Sequence, residues 1–167
     1  KTHSLQIPFK TAWIDNQKGD TIIMETSGSK MYFAPNAILT KNGEIVNGQV
    51  EIRYREYRKV SDMVFSEIPM VFNENGEELL FNSAGLFEVR AYKDNKVLTL
   101  DPAKPFVIDY NIVERLDNLN FYSLDDNSQE WSFLNRIELS MAELPEEILS
   151  IDTCVVINKI PSYKGGF

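Results

Sequence analysis

The chain is poor in the residues that catalytic and metal sites draw on most. It carries one cysteine, Cys154, and one histidine, His3, in 167 residues. A lone cysteine forms no intrachain disulfide. One His and one Cys do not complete a closed tetrahedral zinc shell, and no cofactor is expected. A Ser-His-Asp arrangement would have to use His3, close to a chain end. Cys154 stands in the apolar run Cys154-Val155-Val156-Ile157. There it reads as a small buried hydrophobe, because a catalytic thiol needs a base beside it. A Gly-x-Ser-x-Gly elbow, a phosphate-binding loop and a dinucleotide fingerprint are all missing. No run approaches the roughly 20 apolar residues of a membrane-spanning helix. Basic residues are also few, with 17 Lys and Arg against 25 Asp and Glu, for a net charge of -8. Such a surface repels phosphate backbones, so nucleic acid is not an expected partner.

What is present is an ordinary globular mixture, 43% hydrophobic and 25% charged. The length suits one domain of good size, or one domain with a small appendage. A chain of this length buries roughly 70% of its unfolded surface and needs no cross-link to fold. Its repeated signal is a short apolar alternation followed by a turn. Thr21-Ile22-Ile23-Met24-Glu25-Thr26 is β-prone and stops at Ser27-Gly28-Ser29, and Lys30-Met31-Tyr32-Phe33 follows. Asn42-Gly43 and Asn47-Gly48 are strong short-range turn signals, since Asn and Gly tolerate positive φ.

Gln49 to Tyr57 is the clearest strand. Val50, Ile52 and Tyr54 point one way, while Glu51, Arg53 and Arg55 point the other. Glu56-Tyr57 breaks the pattern and marks a bulge or the strand end. Further strands are expected at Ile68–Phe72, Leu79–Phe81, Leu86–Tyr92, Val97–Leu100 and Phe106–Tyr110. Asn120–Leu124 and Glu130–Leu134 read as a hairpin around Asp125–Gln129, and Thr153–Ile157 as a last strand. The one helical candidate is Ala142–Ser150, with Pro145 in its first turn. Tyr163–Phe167 reads as a tail or the start of a linker.

Many short strands with turns every eight to twelve residues predict an all-β fold. The expected architecture is an antiparallel β-sandwich of Greek-key type, with at most one short helix. The inward set is Val50, Ile52, Tyr54, Phe87, Val89, Phe106 and Ile108. The sandwich is expected over 1–134. Residues 135–167 are expected as a small C-terminal β extension, either the start of a second β domain or a linker.

From Gly28 to Tyr57 the order of features resembles the ZU5 family. A glycine precedes a strand ending in Ala34-Pro35-Asn36-Ala37, then come a glycine-spaced loop and the long strand Val50–Tyr57. Ser83-Ala84-Gly85-Leu86-Phe87-Glu88-Val89 and Lys104–Tyr110 are similar to the family's later strand pair. Phe121–Asp125 with Trp131 is similar to the closing hairpin of bacterial versions. The phrases Tyr54–Tyr57, Ile68–Met70 and Ser83–Phe87 also look like uncharacterised surface lipoproteins of the Bacteroidetes type. The likeness covers about 28–134. It departs where Ile108-Asp109-Tyr110 stands in place of a frequent proline. It implies a β-sandwich interaction module and carries over no catalytic residue.

Several clusters remain as candidates. Arg53, Arg55, Arg58 and Lys59 form the basic cluster, and Arg53, Arg55 and Arg58 with Tyr57 are readable as a recognition patch for an anionic partner or as a solvated face. Trp13, Tyr54, Tyr57, Tyr92, Tyr110 and Trp131 could supply a sugar-stacking face or core packing. Asp125, Asp126 and Glu130 make an oxygen-rich turn that lacks the glycine of a calcium loop. Asp15 and Asp20 flank Gly19 in another polar turn. A glycosidase would need two carboxylates opposed in a cleft, which spacing alone does not place.

The expected function is therefore a non-enzymatic interaction or structural module at the cell envelope or surface. The alternative is a carbohydrate-binding module using exposed aromatics. A start at Lys1 fits an exported chain whose signal has been removed. The expected location is the periplasm or cell surface as part of a lipoprotein, anchored only through lipid outside this chain. The partner would be a protein or a glycan.

Overall fold

A computed structural model describes residues 7–66, 68–74, 77–80, 83, 85–104, 106–112, 120–136, 138–140, 151–157 and 163–166. The chain is all-β, and among the described residues there is one short helix. The first strands are β1 (Lys10–Asp15), β2 (Asp20–Ile23), β3 (Lys30–Phe33), β4 (Ile38–Leu39) and β5 (Gln49–Tyr57). Helix α1 (Val60–Phe65) follows, then β6 (Val71–Glu74), β7 (Glu77–Leu80), β8 (Leu86–Lys93), β9 (Lys96–Val97) and β10 (Thr99–Leu100). The remaining strands are β11 (Phe106–Ile112), β12 (Asn120–Leu124), β13 (Trp131–Arg136), β14 (Glu138–Ser140), β15 (Ile151–Ile157) and β16 (Tyr163–Gly166).

Two antiparallel sheets dominate. The larger runs β1-β5-β8-β16-β12-β13, with β9 paired to β8. The second runs β14-β15-β11-β3-β2. Their buried faces share one apolar cluster, to which the larger sheet gives Ile14, Val50, Ile52, Tyr54, Phe87, Val89 and Phe121. The second sheet gives Ile22, Met31, Phe33, Phe106, Ile108 and Tyr110. Phe87 meets Tyr110 across the gap with ring centroids 5.6 Å apart. All seven residues of the expected inward set lie in this cluster. Each such side chain contributes about 1.5–3 kcal/mol by leaving water.

A second apolar cluster lies on the outer face of the larger sheet. Tyr57, Leu86, Leu124 and Trp131 project there, joined by Met63 of α1 and by Ile68. This explains the broken pattern at the end of β5. Tyr54 and Glu56 both turn inward, and Tyr57 turns outward into the second cluster, so both ends of the alternation are buried. Pairing with β8 continues in register to Tyr57↔Leu86 without a bulge, and the strand stops there.

The helix falls where none was expected. Six residues are too few for periodicity to register. The Asp62 carboxylate accepts the Lys59 N–H at 3.3 Å at its start, and the Ser66 hydroxyl donates to the Met63 carbonyl at 2.6 Å at its end. The expected helix Ala142–Ser150 lies outside the described residues, as does His3.

The C-terminal segment, expected as a small β extension, gives β14 and β15 to the second sheet and β16 to the larger one. Strand β15 pairs with β11 from Phe106↔Ile157 to Ile112↔Ile151. Strand β16, read in sequence as a tail, inserts between β8 and β12. Its two glycines sit opposite Phe87 and Leu86, both large and buried. Among the described residues no helix is long and apolar enough to cross a membrane.

Candidate functional site

The outer face of the larger sheet carries most of the candidate residues. Antiparallel pairing sets Trp13 beside Glu51, and Glu51 beside Tyr92, in one row across β1, β5 and β8. One step along lies the row Thr11, Arg53, Arg90, and the next places Arg55 beside Glu88. The period of two that buries Val50, Ile52 and Tyr54 is what brings these polar groups to the opposite face.

The charges there pair with one another. Arg53 donates to Glu51 through two nitrogens at 2.7 and 3.0 Å, and its guanidinium lies 4.3 Å from the Tyr92 ring centroid. Glu88 is 1% exposed and is gripped from both sides. Arg55 reaches one of its oxygens at 2.6 Å and Arg90 the other at 2.6 Å. Arg90 continues to Asp126 at 3.0 Å. Arg55 also donates to the Ile7 carbonyl at 3.2 Å and lies 4.3 Å from the centre of the Phe9 ring. Burial alone would lower the pKa of the Arg90 guanidinium. Attraction and hydrogen bonds from Glu88, then Asp126, outweigh that and raise it.

The expected recognition patch is therefore not one exposed surface. Tyr57 is fully buried. Burial pushes its hydroxyl up to about 12, and among the described residues that hydroxyl has no hydrogen-bond partner. Arg55 is held by Glu88. Arg58 turns toward the opposite sheet, donating to the Asn111 carbonyl at 3.0 Å. It lies 4.0 Å from the buried Glu56 and 5.7 Å from the centre of the Tyr110 ring. Burial, then the Glu56 charge, raises the Tyr110 pKa, and Arg58 opposes them. Arg53 alone of the four keeps substantial contact with solvent, and it is paired.

The expected aromatic face is divided in the same way. Tyr54, Tyr57, Tyr110 and Trp131 are buried. The Trp131 indole donates to the Pro69 carbonyl at 2.6 Å and packs in the outer cluster rather than between the sheets. Tyr92 is capped by Arg53. Trp13, 62% exposed on an edge strand, is left as an open indole.

The acidic turn is also divided. One Asp125 oxygen accepts the backbone N–H groups of Asn127 and Ser128, each at 2.8 Å. Those bonds, Ser128's first, hold its carboxyl below the usual range. Asp126 turns to Arg90, and Glu130 is exposed. Among the described residues no group of three His, Cys, Asp or Glu converges as a metal site. Cys154 lies on β15 opposite Asp109.

Sequence reasoning missed Glu88, Arg90 and Asp126 as partners of the basic cluster. The alternation Phe87-Glu88-Val89-Arg90 put the first two on the outer face. Their alignment with Arg55 depends on a pairing register set by strands over thirty positions apart. No family model, curated protein or solved structure matches the chain.

Proposed function

We propose that this chain is a non-enzymatic interaction or structural module of the cell envelope or surface, acting as an exported β-sandwich within a lipoprotein. One observation supports this most. The ionisable groups of the outer face neutralise one another in a strand-to-strand ladder, and beside that ladder the Trp13 indole stands open to solvent on an edge strand. Glu88 and Asp126 serve as anchors for arginine and hold strands together. An exposed tryptophan beside a rigid charge pair suits contact, since aromatic side chains contribute large contact area at low entropic cost.

The test places a photo-crosslinking residue at position 13 and identifies what it captures from the cell envelope. Affinity for the purified partner is then measured for wild type and Trp13→Ser. The expected result is at least a tenfold loss with an unchanged melting temperature. Equal binding by both proteins rejects the Trp13 surface, and turnover of an envelope glycan or peptide by the purified chain rejects the non-enzymatic reading. Carbohydrate binding stands as a second reading, favoured by a groove on the other sheet.

A further inference from the structure

The outer face of the five-stranded sheet carries a shallow groove of about 420 Å³. Its floor is one cross-strand row, Thr21 on β2, Tyr32 on β3 and Val107 on β11. Met31 and Phe33 turn into the core, so Tyr32 between them turns outward and is half-buried. The turn between β1 and β2 forms one wall, with Lys18 and Asp20 at its rim.

That wall is rigid for reasons visible in the hydrogen bonds. Asn16 is 1% exposed. Its amide donates to the carbonyls of Ile38 at 2.9 Å and Val46 at 2.7 Å, and its side-chain oxygen accepts the Ile38 N–H at 2.9 Å. The Asp15 carbonyl accepts from Lys18 and Gly19 at 3.1 and 3.0 Å, closing the turn. Gly19 has φ +72°, and a Cβ on it would lie 2.5 Å from the Phe33 carbonyl oxygen. Glycine is what allows the turn to close on β3.

We infer that this groove is a binding subsite for one end of a neutral glycan, with a sugar ring stacked on Tyr32. The inference rests on the reading of the chain as a binding module and adds a ligand class and a place. The floor offers an aromatic ring and an aliphatic side chain, which suit the apolar C–H face of a pyranose. The rim offers an ammonium, a carboxylate and hydroxyls, which suit sugar hydroxyls as both donors and acceptors. The rim holds no unpaired positive charge. Lys18 lies 3.4 Å from the Asp15 carboxylate and is neutralised by it, and Asp20 two residues on leaves the rim with a net negative charge. A phosphate or another strong anion would therefore gain little here, whereas a neutral polyol loses nothing. The size falls within the range of about 300–1,000 Å³ typical of ligand sites. A wall fixed in advance lowers the ordering cost of binding.

The test is a heteronuclear NMR titration of the isotope-labelled chain with neutral di- and trisaccharides of hexose and N-acetylhexosamine. Saturable shifts are expected at Lys18–Thr21, Tyr32–Ala34 and Val107. Tyr32→Ala should weaken binding about tenfold while leaving the fold intact, and Tyr32→Phe should keep most of it. Absence of shifts with every sugar overturns the inference, as do shifts that persist unchanged in Tyr32→Ala. Shifts centred on Trp13 overturn the groove and move the glycan to the opposite sheet. None of these outcomes touches the crosslinking result at Trp13, so failure of the groove and failure of the module reading remain distinct.

Discussion

The two apolar clusters differ in how they are built. Between the sheets, strands supply alternating apolar residues from both sides, with Glu56 the inward-facing carboxylate at the end of β5. On the outer face, Tyr57 shares β5 with Arg55, Leu86 shares β8 with Glu88 and Arg90, and Leu124 and Trp131 join from β12 and β13. A strand whose two faces are both buried must carry a second set of contacts, and here that set is half apolar and half ionic. The lesson is that burial on the outer face depends on partners distant in sequence. The inner face needs only periodicity.

Truncating one large aromatic in each cluster tests this most strongly. Phe87→Ala and Trp131→Ala should each cost about 3–5 kcal/mol, with Phe87 at the upper end because it is fully enclosed while Trp131 is 9% exposed. Denaturant melts measure both. An unchanged midpoint for Trp131→Ala would show that the outer cluster adds nothing to stability.

Breaking the ionic half should cost about 3 kcal/mol or somewhat more. Glu88→Gln leaves Arg55 and Arg90 beside a buried neutral amide, and losing one partner of a buried pair strands the others. Double-mutant cycles with Arg90→Met separate the pair term from the desolvation of the arginines. A cycle energy near zero would reduce the ladder to surface decoration.

The smallest effect is read by pH. The Tyr57 hydroxyl is pushed up to about 12 by burial. A tyrosine whose folded pKa is raised contributes stability fully present below its unfolded pKa, near 10, and lost as pH rises toward 12. Stability should thus fall between pH 10 and 12, and Tyr57→Phe should flatten that fall. Spectrophotometric titration should show Tyr57 ionising after the exposed tyrosines. A single transition near pH 10 for every tyrosine would contradict the enclosure of the outer cluster.

Much of the fold was legible because alternation reports burial directly. Val50-Glu51-Ile52-Arg53-Tyr54-Arg55 declares two faces, and the structure buries the apolar one. The same stretch declared a basic cluster, whose arginines are half-buried and paired with carboxylates. Periodicity states which way Arg55 points but not that Glu88 stands opposite it. Helix α1 was too short to show a period, and the glycines of β16 resembled a tail because a strand residue without a side chain leaves no apolar mark.

By itself the sequence determined the all-β class, the inward-facing residues and the scarcity of His and Cys, all properties of local pattern or composition. The tertiary structure decided the rest. It enclosed Tyr57 and Trp131, paired Arg55 and Arg90 with Glu88, left Trp13 open, and set Tyr32 beside Lys18 and Asp20 in a groove. Those outcomes follow from strand order and register. They bring together residues that nothing in the local chain relates, because hydrogen bonding between strands is indifferent to how far apart in sequence its partners lie.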